Sequence, residues 1–221
     1  YYEAQGGTVV PGRDQLPGSA SDWQTMQSFV AIRNNKSQIV LGSNEVPLMQ
    51  LGDFNLGKWQ RVTRVEKPRV FSWVMNNYWF TNFRAEQEGD FIFSYYLTSG
   101  NDTTRSFATR FGWGSRVPLL GRVLPPGKTN ANNLPDVFSV ARLDLTNLLV
   151  IEARPARTNP GVIVLVRELD GKKCVLRPEN VHVQVPLRCV DEVDALETLI
   201  RENLDLIEFE PYESKFLKLS L

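Results

Sequence analysis

A single histidine, His182, and two cysteines, Cys174 and Cys189, stand in 221 residues. That scarcity removes most metal and nucleophile chemistry at the outset. His182 alternates with valines in Val-His-Val-Gln-Val, the place of a surface or hydrogen-bonded strand residue. No grouping of His, Cys and carboxylates has the spacing of a zinc site. The cysteines sit in separate apolar contexts and read as free thiols rather than a disulfide. Charge of one sign is also missing: 25 Lys and Arg face 25 Asp and Glu with no local basic cluster, so no nucleic-acid partner is expected. The longest apolar runs, such as residues 161–166 and 148–151, are strand-sized, and no membrane partner is expected. Gly-x-Ser-x-Gly, a phosphate-cradling loop and a dinucleotide fingerprint are all absent. Gly6-Gly7 and Gly112-Trp-Gly114 read as turn or bulge glycines.

Period-2 alternation and short apolar runs dominate what is present. Strands are expected at residues 29–33, 38–42, 70–74, 90–98, 106–111, 137–143, 148–153, 161–168, 173–176, 182–185 and 208–219. Turn chemistry separates them at Arg33-Asn-Asn-Lys-Ser, Ser99-Gly-Asn-Asp, Asn159-Pro-Gly and Asp170-Gly. The one helical reading covers residues 191–203, where Val193, Leu196, Leu199 and Ile200 could share a face. The expected class is therefore all-β, an antiparallel sandwich. Residues 124–135 are rich in Pro, Gly and Asn, the composition of an exposed connection. The junction is placed there, giving domains at residues 1–135 and 136–221.

The opening residues lack the charged and apolar segments of a secretory leader, and a start on Tyr1 reads as an excised piece. Cytoplasmic and secreted locations stay equally open. Asn35-Lys-Ser37 and Asn101-Asp-Thr103 match the glycosylation acceptor pattern but decide nothing without a compartment.

Glycoside hydrolysis needs two carboxyl groups about 5 to 9.5 Å apart. Asp53, Glu86, Glu88, Asp90 and Asp102 are available, yet turn carboxylates are ordinarily solvated and no pair among them is expected to be catalytic. The unusual text is Asn76-Asn-Tyr-Trp-Phe-Thr-Asn-Phe83, four aromatics and three asparagines in eight positions. If extended, Asn76, Tyr78, Phe80 and Asn82 share one face while Asn77, Trp79, Thr81 and Phe83 share the other. One reading is a half-buried strand with core aromatics and turn-capping amides. The other is a carbohydrate surface, in which flat rings meet the C–H face of a pyranose and amides meet vicinal hydroxyls.

The run from Phe71-Ser-Trp-Val-Met-Asn-Asn-Tyr-Trp through Gly89-Asp-Phe-Ile-Phe-Ser-Tyr resembles a segment from the C-terminal region of glycoside hydrolase family 38, the α-mannosidases. Four weaker stretches agree in order: Asp22-Trp-Gln-Thr-Met-Gln-Ser-Phe-Val-Ala-Ile, Val46-Pro-Leu-Met-Gln-Leu-Gly-Asp53, the hairpin from Val162 to Gly171, and the terminal Phe209-Glu-Pro-Tyr-Glu-Ser-Lys-Phe-Leu-Lys-Leu. Ser214 and Phe216 depart from the family's usual Ile and Thr. The resemblance implies part of a galactose-mutarotase-like supersandwich followed by a small terminal β-sandwich. It also implies that zinc, the nucleophile and its acid partner sit on an N-terminal catalytic domain of the same polypeptide, which nothing in this sequence matches. The chain is thus expected to be the non-catalytic C-terminal β region of a retaining, α-mannosidase-like hydrolase, inactive alone and without a cofactor of its own. Its expected partners are that catalytic domain and an α-mannoside substrate. Asn76, Asn77, Tyr78, Trp79 and Asn82 are the substrate-proximal candidates, with no catalytic or metal-binding residue. A stand-alone carbohydrate-binding module and a purely structural domain stay open as alternatives.

Overall fold

The structure is a computed structural model. It describes residues 1–55, 57–77, 82, 85–117, 119–121, 123, 141–158, 160–183 and 186–221. Contacts group the chain into two units, Tyr1–Pro118 and Leu119–Leu221. The expected junction at residues 124–135 lies outside the described residues.

In chain order the first unit carries β1 (Tyr2–Ala4), β2 (Gly7–Val9), β3 (Gln24–Thr25), β4 (Val30–Arg33), β5 (Gln38–Gly42), β6 (Leu48–Leu51), β7 (Val70–Ser72), β8 (Tyr96–Gly100) and α1 (Arg105–Arg116). One antiparallel sheet has the order β2-β1-β4-β5-β8, and a smaller one the order β3-β6-β7. Strand alternation sends neighbouring side chains of the larger sheet into two different cores. Tyr2, Met26, Val30 and Met49 fill the space between the sheets, while Phe29, Ala31 and Val40 pack with Ala108 beneath α1.

The helix corrects an expectation, because residues 106–111, expected as a strand, lie in its first turns. Its start is fixed by Thr104, whose side chain accepts from the Phe107 N–H, and by Asp102, which accepts from the Thr104 N–H at 2.9 Å. Phe107, Ala108 and Phe111 then recur on one helical face. Gly112 and Gly114 belong to this helix and are not turn glycines. Gly112 lets the helix touch the sheet, since a Cβ there would lie 2.8 Å from Phe29 Cδ1. Trp113 Nε1 donates to the buried Glu3 Oε1 at 2.8 Å, and Gln38 Nε2 donates to the carbonyls of Asp102 and Thr104.

The second unit carries β9 (Ala141–Leu143), β10 (Leu148–Pro155), β11 (Gly161–Glu168), β12 (Cys174–Leu176), β13 (Val181–Val183), β14 (Cys189–Val193), β15 (Leu199–Arg201), β16 (Ile207–Phe209) and β17 (Ser214–Ser220). Its main antiparallel sheet runs β10-β11-β17-β14-β15, with β12-β16 and β13-β9 as two-stranded ribbons. Val164, Val166, Leu176, Ile207, Phe209, Leu217 and Leu219 are among its core. Val164 stands directly opposite Leu217.

Two further expectations change here. Residues 191–203 form no helix but the β14–β15 hairpin. Asp194 Oδ1 accepts the N–H groups of Leu196 and Thr198, both at 2.8 Å, and Glu197 turns the chain at φ +70°. Leu196, Leu199 and Ile200 are all more than half exposed, so their helical spacing buries nothing. The expected strand at 208–219 is two strands, β16 and β17, broken where Tyr212 has φ +62°. That break is organised by Glu168, fully buried at the end of β11. Its carboxylate accepts the main-chain N–H groups of Asp170 (2.7 Å), Gly171 (2.8 Å), Lys172 (3.2 Å) and Tyr212 (3.0 Å). Gly171 has φ +70° and leaves room for the Tyr212 ring, 2.7 Å from where its Cβ would be.

Candidate functional site

Beyond Ser72 the chain leaves β7, with the Trp73 N–H still donating to the Leu48 carbonyl at 2.9 Å. It then runs past the segment that leads into β8. Ser72 Oγ and Tyr95 Oη are 2.7 Å apart at one end of this pair. At the other end Asn77 Nδ2 donates to the Gln87 carbonyl at 3.2 Å while its Oδ1 accepts the Gln87 N–H at 3.3 Å. An amide side chain can replace a strand partner in this way because it carries one donor and one acceptor at the spacing of a peptide. Between the two fastenings lies a cleft of about 410 Å³, lined in part by Val74, Asn76, Asn77, Glu86, Phe91 and Phe93. The rings of Phe91 and Phe93 lie 14° from parallel with centroids 6.3 Å apart.

Of the five candidate residues, Asn76 and Asn77 come together at this cleft and Asn82 is exposed. Tyr78 and Trp79 lie outside the described residues. Asn77 has a structural task as well, since its amide fixes the Gln87 backbone.

Of the acidic candidates, Asp53 is held by Lys67 at 2.7 Å and Arg69 at 3.1 Å, and the Lys67 hydrogen bond keeps its carboxyl below the usual range. Asp102 is lowered by its bonds from Thr104 at the helix start. Both serve the fold. Glu86, Glu88 and Asp90 are exposed on the segment that includes Gln87. His182 pairs with Asp144, which also meets Arg142 at 3.2 Å. Among the described residues no three or more His, Cys, Asp or Glu side chains could hold a metal ion together. No helix among them is long and apolar enough to cross a membrane. Both cysteines are free thiols, and burial pushes the Cys174 thiol up.

Sequence reasoning missed a second aromatic surface on the outer face of β3-β6-β7. Trp23 meets Trp73 edge-on at 4.1 Å between centroids, and Phe54 meets Phe71 at 4.0 Å. Phe71 stands opposite Gln50. Gln50 is 2% exposed and neither of its side-chain amide atoms has a hydrogen-bond partner. The loop from β6 to β7 forms a cleft of about 640 Å³ that reaches this surface at Phe54 and includes Asn55, Gln60, Arg61, Arg64 and Glu66. The available signal was a lone amide between Met49 and Leu51 in an apolar strand.

No family model matches the chain, and no curated protein sequence does. Its fold is shared with larger solved structures. One is a protein in glycosyl hydrolase family 38 from Enterococcus faecalis, with TM-score 0.60 and 13% identity over 90% of this chain and 23% of that one. Another is an α-mannosidase from Enterococcus faecalis V583, with TM-score 0.57 and 12% identity over 90% of this chain and 21% of that one. The chain therefore spans between a fifth and a quarter of the length of these structures.

Proposed function

We propose that this chain is the accessory β region of an α-mannosidase-like glycoside hydrolase whose catalytic domain lies outside it. The observation that carries this reading is the fold likeness, which takes in 90% of this chain but only 21–23% of proteins named for that family and activity. The ordered resemblance from Asp22 to Leu219 supports it independently of backbone shape. In this reading the Asn76–Asn77 cleft faces the substrate or the seam with the catalytic domain of the same polypeptide. Amides and the Phe91 ring there suit hydroxyl and C–H faces of an α-mannoside. In this reading zinc, implied for such enzymes, is held by the catalytic domain outside this chain.

Assay of aryl α-mannoside hydrolysis tests the division of labour. The purified chain should show no turnover with or without added zinc, and the parent polypeptide should show it. Metal-dependent turnover by the chain alone would refute the reading. The change of domain is placed within residues 124–135, and limited proteolysis should cut first at residues 125–133.

A further inference from the structure

The outer face of the β3-β6-β7 sheet carries an energetic anomaly. Gln50 is enclosed, yet both ends of its amide lack partners, and an enclosed polar group without one costs roughly 1 to 3 kcal/mol. A Met or Leu of similar volume would avoid that penalty. A ligand that brought both a donor and an acceptor to Gln50 would remove that penalty.

Its surroundings point to what that is. Met49 and Leu51 face the core between the sheets, so Gln50 faces the other way, alongside Phe71 across the ladder. Trp73, two residues beyond Phe71, shares that face and is 37% exposed. Phe54, stacked on Phe71, is 58% exposed. The rings thus form two neighbouring pairs, Trp23 with Trp73 and Phe54 with Phe71, on the face where the Gln50 amide is unspent. The adjoining cleft adds the side chains of Arg61 and Glu66. Phe54 lines that cleft of about 640 Å³, which extends the face at one end and does not enclose Gln50.

We propose that this face binds a neutral pyranose oligosaccharide, with Trp73 and Phe54 as stacking platforms for successive rings and the Gln50 amide bonding a sugar hydroxyl once Trp73 swings outward. Aromatic faces match the C–H surface of a pyranose, and an amide offers the donor and acceptor that a hydroxyl needs. An apolar partner would leave the amide as costly as before, whereas a sugar satisfies it. The site is separate from the Asn76–Asn77 cleft and does not depend on the hydrolase reading.

The test is a titration of the 221-residue chain with methyl α-mannopyranoside, mannotetraose and maltotetraose, followed by the Trp indole and Gln amide signals in nuclear magnetic resonance spectra. Saturable shifts of Trp73 and Gln50 are expected, with a tetraose binding tighter than the monosaccharide. Trp73→Ala and Gln50→Met should each weaken binding about tenfold or more. Gln50→Met should raise the melting temperature at the same time, which separates lost recognition from lost folding. Phe91→Ala, in the other cleft, should leave binding unchanged. Absence of any saturable shift at millimolar sugar, shifts confined to residues 74–93, or binding that survives both Trp73→Ala and Gln50→Met overturns the proposal. Each result is independent of α-mannoside hydrolysis by the parent polypeptide.

Discussion

The buried carboxylate of Glu168 accepts the main-chain N–H of Tyr212 at 3.0 Å, joining turns 44 residues apart. The same group takes three more N–H donors from the turn after β11. Glu168→Ala leaves four donors without their acceptor and should destabilise the second unit by about 3 kcal/mol or more. Glu168→Gln should do nearly as badly, because its NH₂ would face N–H groups. Urea unfolding followed by circular dichroism measures this, and a loss below about 1 kcal/mol contradicts it.

Gly112→Ala presents opposing effects. Alanine is favoured over glycine in a helix by about 1 kcal/mol. The new methyl would nevertheless sit 2.8 Å from Phe29 Cδ1 and 2.9 Å from Ser28 Oγ. Both neighbours are buried, so packing should win, with net destabilisation of about 1 to 3 kcal/mol and a lower melting temperature. A raised melting temperature would show that the helix can shift away from the sheet.

In the parent polypeptide, Asn76→Ala and Asn77→Ala should each lower kcat/KM for an α-mannoside by about tenfold, equivalent to about 1.4 kcal/mol of transition-state binding. Asn77→Ala also loses its two exposed bonds to Gln87, which limits the stability change to about 0.5–1.5 kcal/mol. Unchanged kinetics for both variants would make this segment architectural.

Burial raises the Tyr2 hydroxyl above its ordinary pKa of 10.0, and that hydroxyl donates to Gln24 Oε1 at 2.6 Å. A raised folded pKa means that the unfolded chain ionises first. Tyr2 therefore lends its full stability below pH 10.0 and loses it as pH climbs through the higher folded value. Tyr2→Phe should cost about 1 kcal/mol at neutral pH, since Gln24 keeps its bond from Gln15 at 2.8 Å. It should also flatten the alkaline fall of the melting temperature. An equally steep fall in the variant would assign the alkaline effect to other groups.

The all-β class was legible because β5 and β11 are written in plain alternation and β-branched runs, and both occupy the expected residues. The helix was not, because Phe107, Ala108 and Phe111 fit a strand window as well as a helical one over six positions. Its decisive signal was the polar start at Asp102 and Thr104, which a search for apolar periodicity passes over. Residues 191–203 are the reverse case: helical spacing is present, but Asp194 spends its carboxylate on a turn. At the site, the sequence marked Asn76 and Asn77 as unusual but not which groups they would meet. Asn77 bonds a backbone ten residues on, and Trp23 finds Trp73 fifty positions away, relations that only the folded register creates.

β4 lies between β1 and β5 within its sheet, with the inter-sheet core on one side and α1 on the other. Val30 anchors the first core and Ala31 the second, so this strand cannot detach without opening both. The first unit should accordingly lack a partially open state in which one layer melts while the other survives. Its unfolding becomes a single cooperative event, and the amides of Ala31 and Ile32 should exchange with solvent at the rate of that event alone.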